Sequence, residues 1–277
     1  MHSTATSPAP PVLLADLTWP EVQQHVATDP VVLLPVGAFE QHGPGMTLET
    51  DTRLATELCR LVSARLFPRV LVAPPMPWGL SAHHLGFAGT ISLQPETFFL
   101  VIRDVITSLL SHGFRRILLV NGHGGNMAAS EEVCLRLRRE TEADLIEAVT
   151  YFMLAPLAPA SLEHAGEIET SYALALAPQL VRPHRLLPAE MLRPSPASAE
   201  ATILPPFHEI TRTGNLGDPT RANRECGEHL VQAVLDRLCE LVTMLEREDV
   251  AADSPSRRKE DENPPLAGQP DHRPAIR

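Results

Sequence analysis

Short apolar runs alternate with longer, helically spaced ones from residue 31 to residue 247. VVLLPV (31–36), RVLVAP (69–74), RRILLVNG (115–122) and ADLIEAVTYF (143–152) are brief and β-branched, which predicts buried strands. Residues 52–66, 95–113 and 127–141 space their apolar side chains three and four apart, which predicts amphipathic helices. Pro95 sits at a helix start and Gly113 just past its end, as helix chemistry favours. Two further helical patterns follow at 169–178 and 220–247. Strands alternating with helices predict an α/β fold, with helices on both faces of a mostly parallel sheet.

The ends of the chain read differently. Residues 1–11 are rich in Ser, Ala and Pro, and 249–277 form a polar, Pro-rich tail with few large apolar side chains. Neither can repay the cost of ordering, so one domain is expected over 12–248 with disorder on both sides. The N-terminus lacks the basic and apolar regions of a signal peptide, and no apolar run is long enough to span a bilayer, so a cytoplasmic location is expected with no membrane partner. A formal net charge of −11 repels phosphate backbones and argues against nucleic-acid binding. The four cysteines, Cys59, Cys134, Cys226 and Cys239, form no CxxC pair and read as thiols on helices in a reducing compartment.

In parallel sheets, ligands bind beyond the carboxyl ends of the strands. Here two strands run directly into polar loops: AFEQHG follows VVLLPV, and NGHGGN follows RRILLV. With TLETD (47–51) and EHAGEIETS (163–171), these loops supply Glu40, His42, Asp51, His123 and Glu167. Three carboxylates and two imidazoles without thiolate suit Zn²⁺, Mn²⁺ or Fe²⁺. Five ligands exceed the needs of one four-coordinate ion, so two divalent ions sharing a carboxylate are expected, Zn²⁺ first. Gly37 and Gly43 permit a tight turn that aims Glu40 and His42 inward. Asn126 is expected to cap the following helix. His83 and His84 are candidates for touching substrate, and Trp78 for lining a pocket or packing. Thr170 and Ser171 fit capping as well as chemistry. A phosphate loop is the rival for NGHGGN, but no GxxxxGK[ST] is present.

The succession PVGAFEQHGP, TD, FAGTISL, NGHGGN, HAGEIETS and GNLGDPTRA, over roughly 30–225, resembles the creatininase family of metal-dependent amidohydrolases. The resemblance implies a creatininase-like three-layer α/β/α sandwich and a two-metal site. It also implies hydrolysis of an amide or related C–N bond in a small molecule or peptide, and a homo-oligomer, with a hexamer expected. By position, Glu40, His42, Asp51 and His123 match metal ligands, with Asp51 bridging. Creatininase has another ligand where this chain has Gly125, and Glu167 is expected to supply that carboxylate. His164 matches the catalytic histidine, and Glu169 is expected to orient it or to position a loop. The two tryptophans that enclose creatinine correspond to Phe152 and Ala160, and the usual histidine after HGP is Gly45, so creatinine is expected to be a poor substrate. A ring-opened formamide and a peptide bond, as in mycofactocin maturation, are the other candidates. A non-catalytic metal-binding assembly protein is the rival from another class.

Overall fold

The structure, a computed structural model, describes residues 12–156, 163–193 and 205–252. The expected loose N-terminus, Ala160 and most of the polar tail lie outside the described residues. Five strands form one sheet in the order β1 (Val12–Leu13), β3 (Val70–Val72), β2 (Val31–Val36), β4 (Arg116–Asn121), β5 (Leu145–Thr150), and every neighbouring pair is parallel.

The strand sequences explain the layers. In β2 and β4 nearly every residue is apolar, yet successive side chains point to opposite faces. Val31, Leu33, Leu118 and Val120 pack on one side with helices α2 (Thr50–Arg65), α5 (Glu167–Leu176) and α7 (Arg224–Ala252). Val32, Leu34, Val36, Ile117 and Leu119 pack on the other with α3 (Pro95–Ser111) and α4 (Met127–Glu140). A strand that is apolar on both faces must be covered on both, and the α/β/α sandwich is the result.

The register fixes the site. Val31 pairs with Arg116 and Val36 with Asn121, so β2 and β4 end at the same level. The loops that follow them emerge side by side, as the alternation predicts.

Several boundaries differ from expectation. Helix α1 (Trp19–Val26) was not predicted: it is only eight residues long and none of them is fully buried, although Val22 and Val26 pack against the core. Its start is fixed by Glu21, whose carboxylate accepts the Thr18 backbone N–H at 2.7 Å. Strand β5 stops at Thr150, and Tyr151–Leu154 turn into a 3₁₀ segment. The last helix starts at Arg224, because Pro219–Arg221 form their own turn, capped by Asp218. It continues to Ala252, past the expected boundary at 248. A four-residue helix, α6 (Phe207–Ile210), precedes it. Among the described residues no helix is long and apolar enough to cross a membrane.

Candidate metal centre

The two strand-edge loops and the start of α2 build the centre. Just beyond β2, a Cβ at Gly37 would lie 2.4 Å from the Thr52 Cα, so only glycine lets the loop cross the first turn of α2. That crossing brings Glu40 and His42 against Asp51. His123 arrives from the loop after β4, where Asn121 accepts its backbone N–H at 3.1 Å and donates to its carbonyl at 2.7 Å. Contrary to expectation, Asn126 does not cap α4 with its side chain; it ties loops together instead. Its Oδ1 accepts Leu80 N–H at 2.9 Å, and its Nδ2 donates to Gly37 O at 2.9 Å and Asn121 Oδ1 at 3.2 Å.

Glu40, His42, Asp51 and His123 converge, each no more than 4% exposed. His42 Nε2 lies 3.0 Å from Asp51 Oδ1, and His123 Nδ1 lies 3.2 Å from Asp51 Oδ2 and 3.3 Å from Glu40 Oε1. The two oxygens of Asp51 thus face two different imidazoles, the arrangement a bridging carboxylate needs. Glu169 completes the group, with Oε1 at 3.4 Å from His42 Nε2. His42, Asp51 and Glu169 can hold one cation, Glu40 and His123 form a second grouping with His83, and Glu40 a third with His42 and His164.

The residues fit a divalent ion. Both Glu40 oxygens and Asp51 Oδ2 are buried with no well-formed hydrogen bond; imidazole nitrogens of His84 and His123 approach Glu40 Oε1 and Asp51 Oδ2 only at 3.2–3.3 Å. Buried anionic oxygens are ordinarily paired or metal-bound, because desolvating them alone is expensive. Titration behaviour agrees. Burial opposes charge at Glu40, His42, Asp51 and His123, yet the carboxylates raise His42 and His123 well above the usual imidazole range. Those imidazoles in turn hold Asp51 well below the carboxylate range, against its burial. A site whose field favours positive charge on two buried imidazoles is a cation site.

Glu167 is not where the sequence suggested. Its carboxylate lies 3.2 Å from Arg221 Nε and is one-third exposed. Helix α5 starts at this residue, and two positions along a helix is a rotation of about 200°, so Glu167 and Glu169 face opposite ways. Glu169 takes the inward face. Its Oε2 accepts the Ala165 N–H at 2.7 Å, which supports Ala165 in a left-handed conformation (φ 49°) unusual for a residue with a Cβ. Gly125 leaves no room for the creatininase-type carboxylate: a Cβ there would lie 2.4 Å from Leu80 O and 2.5 Å from His123 Nε2.

Above the centre opens a cavity of about 700 Å³. His83, His84, Phe152, His164, Phe207 and Leu216 are among its walls. Trp78 does not line it and is half exposed. His164 Nδ1 lies 3.8 Å from Glu40 Oε1, and its ring meets Phe207 edge-on at 5.2 Å. Burial lowers the pKa of His83 to about 4 and depresses that of His84 as well, with neighbouring imidazoles adding to both effects. Phe207 and Gln41 were missed from sequence. Phe207 sits in an unpatterned four-residue helix, and Gln41 stands between Glu40 and His42 with no sequence mark of its own. Thr170 and Ser171 are buried, and the Ser171 hydroxyl donates to Glu167 O at 2.7 Å while accepting Asn223 N–H at 3.2 Å, a structural use.

The family model described as creatininase, creatinine amidohydrolase, matches residues 15–242. The chain belongs to the creatininase family. Within the creatininase family it is 34% identical over 224 residues to a mycofactocin precursor peptide peptidase of Mycobacterium tuberculosis, covering 76% of this chain and 83% of that one. It is 30% identical over 262 residues to a creatinine amidohydrolase of Pseudomonas putida, covering 83% and 96%. A crystal structure of creatininase superposes with a TM-score of 0.73 at 30% identity, covering 84% of this chain and 97% of that one. Creatininase has also been solved in a Mn form, and a mutant of it in a Zn–Zn form. Membership in the creatininase family makes this chain a hydrolase acting on C–N bonds.

Proposed function

We propose that the chain is a metal-dependent amidohydrolase with Glu40, His42, Asp51, His123 and Glu169 as the metal-holding residues. The observation that carries this reading is the trio of buried carboxylate oxygens without a well-formed hydrogen bond, beside the imidazoles of His42 and His123. Two ions, Zn²⁺ first and Mn²⁺ or Fe²⁺ as alternatives, match the donor set. Such ions lower the pKa of water toward neutrality and polarise a carbonyl oxygen. The chain's own residues do the rest. His164 stands at the cavity floor within 3.8 Å of Glu40 and carries a proton toward the departing nitrogen, which imidazole is suited to do. Phe152 and Phe207 give the substrate apolar walls.

The substrate is an amide larger than creatinine. A cavity of about 700 Å³ lies well inside the range that holds drug-sized ligands, roughly 300–1,000 Å³. That favours a peptide-like amide, in keeping with the similarity to the mycofactocin precursor peptide peptidase. The test is steady-state hydrolysis by Zn²⁺- or Mn²⁺-loaded protein of creatinine against a panel of short peptides and peptide amides. Peptide amides should turn over and creatinine should be much slower; efficient creatinine hydrolysis overturns the substrate reading. Elemental analysis of the same protein tests the centre, and absence of bound divalent metal after loading overturns it. Assembly as a homo-oligomer, a hexamer first, is part of the same proposal and is read by light scattering.

A further inference from the structure

Gln41 lies between two of the proposed metal-holding residues and is itself 5% exposed. Its side-chain amide has one orientation. Oε1 accepts Gly43 N–H at 2.9 Å, and Nε2 reaches Gly214 O, which can only accept, at 2.9 Å. Reversing the amide would set oxygen against oxygen at Gly214 and N–H against N–H at Gly43. The packing is close as well: Gly214 has φ +89°, and a Cβ there would lie 2.1 Å from Gln41 Oε1.

The amide nitrogen has two hydrogens. One goes to Gly214 O. The other points at His84 Nδ1, 2.8 Å away. His84 Nδ1 must therefore accept, which leaves the ring's proton on Nε2, the nitrogen 3.3 Å from Glu40 Oε1. The backbone of Gln41 fixes a second ring. His164 Nε2 lies 2.8 Å from Gln41 O, a carbonyl that only accepts, so this nitrogen carries the proton. The 3.1 Å approach of Gln41 Nε2 to the same nitrogen is then a close passage, since both amide hydrogens are already engaged. His164 Nδ1 keeps its lone pair and turns it toward the centre.

We propose that Gln41 is a positioning residue that sets the tautomers of both imidazoles. Its side chain makes His84 present Nε2–H to Glu40, and its carbonyl makes His164 present an unprotonated Nδ1 to the cavity. Protonated on Nδ1 instead, His84 would set a lone pair against the Glu40 carboxylate. Protonated on Nδ1, His164 would have nothing with which to accept a proton there. The inference rests on the hydrolase reading only for the use made of His164; the protonation pattern itself is read without substrate.

The experiment is long-range ¹H–¹⁵N correlation on the Zn²⁺-loaded full chain with ¹⁵N-labelled histidine rings. His84 and His164 are assigned by the signals lost in His84→Gln and His164→Asn. Both rings should show the Nε2–H pattern. Gln41→Glu keeps the shape but can only accept, so His84 should move its proton to Nδ1 or become doubly protonated. His164, held by the backbone, should keep its pattern. Gln41→Met removes the amide and should release His84 into mixed tautomers. An Nδ1–H pattern for either ring in the unsubstituted protein overturns the inference, and so does an unchanged His84 in both variants. Should neither variant fold, the unsubstituted spectrum alone decides. A protein with the expected tautomers but no amidase activity keeps this inference and sinks the hydrolase reading, so the two failures are separable.

Discussion

Replacing Glu169 by Gln and, separately, Glu167 by Gln decides which carboxylate serves the centre. Gln keeps the volume, and like Glu it can accept the backbone N–H of Ala165, so the start of α5 survives and only the charge is lost. Glu169 lies 3.4 Å from His42 in a largely buried cluster. Residues that merely support metal ligands cost about 10–100-fold in affinity when changed, so loss of a ligand should reach at least ~100-fold. With free ion at about 1,000 times the wild-type Kd, metal stabilises the unsubstituted fold by ~4.1 kcal/mol. A ~100-fold weaker site leaves a ratio of ~10 and ~1.4 kcal/mol, a difference of about 2.7 kcal/mol. At roughly 2–4 °C per kcal/mol for a domain of this size, the metal-induced rise in Tm should shrink by about 5–11 °C. The Glu167–Arg221 pair has side chains 33% and 70% exposed, so Glu167→Gln should alter stability by at most ~1 kcal/mol and leave metal affinity near wild type. Thermal melts with Zn²⁺ and with chelator, alongside chelator competition, read both quantities. If Glu167→Gln loses metal while Glu169→Gln keeps it, the assignment of faces on α5 is wrong.

Gly227→Ala should destabilise the fold although alanine favours helix. A Cβ there would lie 1.9 Å from the Ser171 carbonyl oxygen, so the ~1 kcal/mol propensity gain is outweighed by overpacking of up to ~3 kcal/mol, and Tm should fall by several degrees. An unchanged or higher Tm would show that α5 and α7 separate freely. Gly125→Glu should not add a metal ligand; with Leu80 O and His123 Nε2 in the way, metal content should drop, and a gain in Zn²⁺ affinity counts against the packing described. Among the cysteines, burial pushes the Cys134 thiol up to about 12 and Cys59 higher still, while Cys226 is partly exposed. An aromatic disulfide reagent should reach Cys59 and Cys134 only on unfolding; prompt labelling of all four thiols of the native protein contradicts that burial.

The strands and the loops after β2 and β4 were readable because their signals are local. A short β-branched run needs only its own residues to be recognised, and parallel pairing then dictates that Glu40, His42 and His123 share one edge. The choice between Glu167 and Glu169 was not local. Both sit in the first turn of a helix, and only the packing of α5 against α2 and α7 says which face turns inward. Gln41 was invisible for a related reason: its partners, His84, His164 and Gly214, lie 43 to 173 positions away. Helix α1 escaped because it is short and only Val22 and Val26 pack against the core; Pro20 in its first turn and the capping contact of Thr18 with Glu21 are its local marks.

Asn126 gives the centre a mechanical property. One side chain laces together the loop after β2, the segment around Leu80 and the turn after β4, so the floor behaves as a single rigid tile. Two of the walls are not laced into that tile. Phe152 follows β5 and Phe207 rides on a one-turn helix, whereas the loop of Leu216 is tied to the tile through Gln41, which bonds Gly214 and His164. A lineage can therefore redraw those two walls while the floor stays fixed. Relatives named for a ring compound and for a peptide are what such a division between a conserved engine and an exchangeable mould would produce.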